Sequence, residues 1–155
     1  MNKVYLGKYV NTHGLKGEIR IKSNFPYKSK VFNIDNEIII NNIVYKIKSY
    51  RVHKGYDMVT LDGITDINMI PFPKNTKVYI NRDNYLEEKD YLDSDLIGFI
   101  VYNNKIEKEV IDIIYLNDTK KLIKTDDGYI PFELVKNIDL DNKKILVEEV
   151  DGLWK

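Results

Sequence analysis

The chain has 155 residues, room for one average domain or two small ones, and 43% of them are hydrophobic, enough for a packed core. It contains no cysteine, which excludes disulfides and thiolate metal sites, and only His13 and His53 could serve an imidazole site. The formal net charge is zero, but residues 1–84 carry 14 Lys and Arg against 7 Asp and Glu, whereas residues 85–155 carry 10 against 17.

This +7/−7 division reads as two modules with different partners. A basic module suits nucleic acid. An acidic one suits a basic protein or a solvated surface; mutual attraction of the two halves is the alternative. No apolar run approaches the ~20 residues of a membrane span. Residues 1–7 lack the apolar stretch of a signal peptide, so a soluble cytoplasmic protein is expected. There is no Ala and no Gln, while Ile, Tyr, Asn and Lys abound. Ala is the best helix former and Ile and Tyr favour strands, so the fold class is expected to be all-β.

Residues 7–22 read as strand, tight loop, strand. Gly14 and Gly17 are two glycine turns three residues apart. Glu18 to Lys22 then alternates strictly, isoleucines on one face and charges on the other. The hairpin would present His13, Lys16, Arg20 and Lys22 outward, as a contact site for phosphate or a carboxylate-bearing partner. The alternative is that the glycines serve only the turn. Residues 28–36 read as a loop with Val31 and Phe32 plugging the core. Ile38–Ile40, Asn41-Asn42 and Ile43–Val52 read as a β-hairpin. In its second strand Tyr45, Ile47 and Ser49 would share one face, and Lys46, Lys48 and Tyr50 the other. A turn at 53–57 carries Lys54 beside Arg51. Met58–Leu61 is a short strand, 64–68 a single helical turn stopped by Pro71 and Pro73, and Lys77–Ile80 a strand. About six strands are enough to close a small barrel over residues 1–84.

Residues 85–93 read as an acidic linker carrying Tyr85, Leu86, Tyr91 and Leu92, either docking on a partner or packing on one of the chain's own barrels. Residues 94–155 repeat the pattern: strands at 95–102, 107–115, 121–125, 129–132 and 144–148, hairpin turns at Asn103-Asn104 and Asp126–Gly128, a short helical turn from Phe132, and a tail at 151–155. Five or six short strands again point to a small barrel. No catalytic set is visible: there is no Cys nucleophile, no G-x-S-x-G, no G-x-G-x-x-G and no P-loop. No enzyme activity, cofactor or metal is expected.

Three segments in order resemble the ribosome maturation factor family RimM. They are Gly7 with Asn11–Ile19; Arg51–Gly55 with Val59–Asn68; and Leu86, Glu88, Tyr91 with Asp95–Gly98, followed by Val110–Ile113, Ile130–Phe132 and Gly152-Leu153. The resemblance spans nearly the whole chain. It implies two tandem β-barrels: a six-stranded barrel like those of translation factors and flavin reductases, then a PRC barrel. It implies a non-catalytic monomer that assists maturation of the head of the small (30S) subunit and 16S rRNA processing. Its partners would be ribosomal protein nineteen of the small subunit and the pre-subunit with its rRNA. The family's linker aromatics map to Tyr91 and, as a departure, Leu92; with Asp95 they would bind the ribosomal protein. His13, Lys16, Arg20, Lys22, Arg51 and Lys54 would contact rRNA, with Gly14 and Gly17 as structural turns. A further departure is Met69–Pro73 and Asn75, which stand where the family tends to have an Ala-Glu pair and a Gly. A flavin- or nucleotide-binding reductase is the alternative, resting on fold analogy alone; colour of the purified protein would discriminate it.

Overall fold

The structure, a computed structural model, describes residues 2–150; the tail 151–155, with Gly152-Leu153, lies outside the described residues. The chain divides into two compact units, Met1–Glu87 and Glu88–Lys155. The fold is all-β, with one short α-helix and a few single 3₁₀ turns among the described residues.

In the first unit six strands close on themselves: β1 Lys3–His13, β2 Glu18–Lys22, β3 Glu37–Ile40, β4 Ile43–His53, β5 Tyr56–Leu61 and β6 Lys77–Asn81, in the order β1-β2-β5-β4-β3-β6. The inward stripe of β2, Ile19 and Ile21, is wholly buried, as are Ile38, Ile40, Ile47, Leu61, Val78 and Ile80. Closure removes every free sheet edge. The β3–β4 turn uses Asn41 and Asn42 at φ 54 and 66, the pair of left-handed residues that a tight hairpin needs. Asp66 caps the 3₁₀ turn Ile67–Met69 through the Asn68 amide at 2.7 Å.

Simple alternation fails in three places here. Residues 28–36 are not all loop: Lys28–Val31 form a helical turn, α1, which seats Val31 and Phe32 in the core. Lys28 reaches the buried Asp57 carboxylate at 2.8 Å, and Tyr50 donates to the same group at 2.7 Å. In β4 a register shift between Ile47 and Ser49 reverses the parity. Tyr50 therefore does not share a face with Lys46 and Lys48; it stacks on Phe32 with centroids 5.2 Å apart. Two further shifts, at Tyr5/Gly7 and Tyr9/Asn11, bend β1 so that it pairs with both β6 and β2.

Among the described residues the second unit has seven short strands in two sheets. One has the order β11-β10-β9, with β9 Asp112–Tyr115, β10 Lys121–Lys124 and β11 Tyr129–Pro131. The other has the order β12-β13-β7-β8, with β7 Ile100–Tyr102, β8 Glu107–Glu109, β12 Val135–Asp139 and β13 Lys144–Val147. Both sheets feed one core of Leu96, Phe99, Val101, Val110, Ile113, Ile123, Ile130, Ile145 and Val147. The expected strand at 95–102 shrinks to β7, because Asp93–Leu96 coil into a 3₁₀ turn and Gly98 takes φ 91. The expected strand at 107–115 splits into β8 and β9, which belong to different sheets. Val110 marks the break, plugged into the core with its amide bonded to the Phe99 carbonyl at 2.8 Å.

The acidic segment 85–93 is shared between the units rather than hanging free. Tyr85 accepts from the Glu37 amide at 2.7 Å and donates to the Glu37 carbonyl at 2.8 Å, at the start of β3. Tyr91 packs against the core of the second unit.

Candidate functional site

Cross-strand pairing gathers charge on the outer face of the first unit. Asn11, Arg20, Met58 and Arg51 stand opposite one another across β1, β2, β5 and β4. On opposite sides of that row, His13 pairs with Glu18 and His53 with Tyr56. Residues two apart on a strand share a face, so these rows form one patch.

Its contacts are tight. Arg20 Nη2 lies 2.7 Å from His13 Nδ1. A guanidinium only donates, so that ring nitrogen accepts and the His13 proton sits on Nε2. The Arg20 guanidinium also lies over the Tyr56 ring at 5.9 Å. Arg51 grips Glu18 with two nitrogens, Nε at 2.9 Å and Nη2 at 2.7 Å. This fork holds the Glu18 carboxyl below its ordinary range. The two histidine rings lie 5.3 Å apart. Desolvation, then the positive charges of Arg51 and its neighbours, holds His53 below the usual histidine value.

The turns position the patch. Lys54 and Gly55 form the two-residue β4–β5 turn at φ 51 and 81, which sets the exposed Lys54 at the hairpin tip. In the β1–β2 loop Gly14 and Gly17 have φ 73 and 85. A Cβ on Gly17 would come within 3.0 Å of Ile64 Cγ2 and 3.3 Å of the Asp66 carbonyl, whereas one on Gly14 would meet open space. The loop is tied to the 64–69 segment by the Ile67 amide bonding the Leu15 carbonyl at 2.9 Å.

Of the residues singled out in the sequence, His13, Arg20, Arg51 and Lys54 come together at one end of this face. Lys16 is exposed on the adjoining loop. Lys22 follows two residues beyond Arg20 on the same face, opposite Lys8. Sequence reasoning missed His53, Glu18 and Tyr56 as members of the patch. His53 was within reach, being two positions along β4 from Arg51.

Tyr91, Leu92 and Asp95 lie in the second unit. Tyr91 and Leu92 are half-buried, and the Asp95 carboxylate accepts from the Leu92 amide at 2.8 Å. Asp93, not singled out from sequence, is the hub: it accepts from Tyr115 Oη and from Lys121 Nζ at 2.9 Å. Lys121 in turn lies 4.0 Å over the Phe132 ring. These carboxylates are held in local bonds, and Tyr91 packs against the core of the second unit. Among the described residues no group of three or more His, Asp or Glu side chains is gathered as for a metal ion, and no helix is long and apolar enough to cross a membrane.

Residues 4–85 match the model of the RimM N-terminal domain. A ribosome maturation factor RimM from Staphylococcus aureus is 37% identical over 97% of this chain and 98% of its own length. Among solved structures, a RimM protein from Pseudomonas aeruginosa covers 96% of this chain and 98% of its own at 16% identity and a TM-score of 0.47. The N-terminal domain of RimM from Thermus thermophilus covers 56% of this chain and 98% of its own at 18% identity and a TM-score of 0.48. A family match across the first unit and a full-length relative at this identity make the chain a member of the RimM family of ribosome maturation factors.

Proposed function

We propose that the chain is a non-catalytic assembly factor for the small ribosomal subunit. Its first unit, a barrel of the translation-factor and reductase type, binds RNA of the pre-subunit. Its second unit, a PRC barrel, binds a basic ribosomal protein of the subunit head, the one numbered nineteen. The observation that carries this reading is the outer face on which Arg20, Arg51 and Lys54 gather beside His13 and His53, in a unit with 14 basic against 8 acidic residues. Phosphates dominate the affinity of any RNA-binding surface. The residues of the second unit fit the protein role: an apolar pair, Tyr91 and Leu92, in a unit rich in carboxylates. The relatives bearing the maturation-factor name give the process its direction.

The mechanism is a population shift. A factor that prefers the correctly folded pre-subunit head raises its share by no more than the difference in affinity for the two states. The test is affinity for the purified pre-subunit at two salt concentrations. Arg20→Ala with Lys54→Ala is expected to weaken binding and to shrink the salt slope by roughly 0.7–0.9 per lost phosphate contact. Binding and slope equal to wild type would refute the RNA assignment.

A further inference from the structure

The outer face of the first unit does not end at the arginines. Three rows lie along β1. The first is Tyr5, Tyr79, Ile39 and Val44, opposite one another across β1, β6, β3 and β4. The second is Lys77, Lys8 and Lys22 across β6, β1 and β2. The third is the Asn11–Arg20–Met58–Arg51 row already described. The two shifts in β1 keep all three on the outside: without them, Lys8 and Asn11 would turn to opposite faces.

Each row has a distinct chemistry. In the first, Tyr5 is 51% and Val44 46% exposed, whereas Ile39 beneath them is only 4% exposed. Tyr5 meets Tyr79 edge-to-face at 6.0 Å and 76°, which stands the two rings at different angles on the surface. Lys3 and Lys46 flank this row, with Glu37 the acid opposite Lys46. In the second row three ammonium groups oppose one another on neighbouring strands. Like charges placed so are destabilising to the free protein. A polyanion laid across the row would remove that cost. Of the acids on these six strands, Glu18 is held by Arg51 and buried Asp57 by Lys28 and Tyr50, while Glu37 stands opposite Lys46.

We propose that this face is a binding track for single-stranded RNA, with Tyr5 and Tyr79 stacking on unpaired bases and the Lys8–Lys22–Lys77 row holding the backbone. The proposal rests on the RNA reading of the first unit and specifies the form of RNA. Cationic grooves combined with exposed aromatic rings are how small β-barrels hold single strands without reading their sequence. Paired bases present no faces for the tyrosines, so a duplex would engage only the cationic rows. At ~3.3 Å per residue, Tyr5 to His13 spans roughly 26 Å. That accommodates on the order of four nucleotides, at the low end of such sites.

The test titrates the full chain against a fluorescent, unstructured oligouridylate of about 12 nucleotides, with a duplex of equal length in parallel. Wild type is expected to prefer the single strand. Tyr5→Ala and the bulk-preserving Tyr5→Leu should each weaken binding about five-fold or more, with the salt slope unchanged. Tyr5→Phe, which keeps the ring, should bind like wild type. Lys8→Ala with Lys77→Ala should instead flatten the salt dependence by about 0.7 per lost contact. Wild-type binding by a folded Tyr5→Leu, or equal affinity for the duplex, would overturn the proposal. If Arg20→Ala with Lys54→Ala still weakened pre-subunit binding, the proposed function would stand without this track. No effect of that pair as well would remove both.

Discussion

Gly14 and Gly17 have the same left-handed backbone but different neighbourhoods, and the difference is measurable. At Gly14 only the backbone conformation opposes a side chain, so Gly14→Ala is expected to cost about 1 kcal/mol. At Gly17 the new methyl group would also press on buried Ile64 and on the Asp66 carbonyl. That carbonyl is itself fixed by the Met69 amide at 3.0 Å. Gly17→Ala should therefore cost about 2 kcal/mol or more. Denaturant titration of the two variants checks the order, and equal losses would show that the loop yields freely. Gly7 is glycine for another reason: a Cβ there would sit 2.5 Å from the Lys22 carbonyl, where two strands cross closely. The sequence marks such a residue without saying which of these two demands it meets.

At the scale of elements, what was legible followed strict local rules. The Glu18–Lys22 alternation, the Asn41-Asn42 turn and the Asp126–Gly128 turn stand where local chemistry puts them, because nearest neighbours decide them. What was not legible depended on distant partners. The parity reversal in β4 makes sense only once Phe32 is in place to receive Tyr50. The break at Val110 exists because its side chain enters a core shared by two sheets. The cationic patch assembles residues from four strands, so Arg20 and Arg51 could be proposed singly, but not the bracket they form with Glu18 and the two histidines. Tyr91 shows the same limit. Its half-buried packing on the second unit's core means that removing it acts on stability and binding together. Tyr91→Ala is expected to lower the unfolding free energy by about 2 kcal/mol. It should also weaken binding to isolated ribosomal protein nineteen, with little change in salt dependence. Leu92→Ala, with less contact area to lose, should do the same more mildly. Calorimetric titration beside a melting curve separates the two effects. Unchanged affinity in a folded Tyr91 variant would remove this segment from the protein-binding surface.

For the whole molecule the charge division and the division into units nearly coincide, at residues 84 and 87. Tyr85 is pinned to β3, while Asp90 is buried to 9% exposure, leaving Glu87, Glu88 and Lys89 exposed between them. A glutamate-specific protease is therefore expected to cut first at Glu87 or Glu88, releasing fragments that each unfold cooperatively. A first cut elsewhere, or two unstructured fragments, would mean that neither unit stands alone.

In both units a late strand completes a sheet, and this has a consequence for how the chain is made. The first barrel is completed when β6 joins β1 and β3, at residue 81, before any strand of the second unit has been synthesised. The four-stranded sheet of the second unit waits longer: β13 lies between β12 and β7, joining β7 in parallel, and β13 ends only at Val147. Folding during synthesis proceeds from the N-terminus at about 5–20 residues per second. The basic unit can thus be in its final form seconds before the acidic one. A nascent chain of this protein would pass through a stage with the outer face of its first unit finished and its second unit still open. Truncation before Lys144 would hold it there.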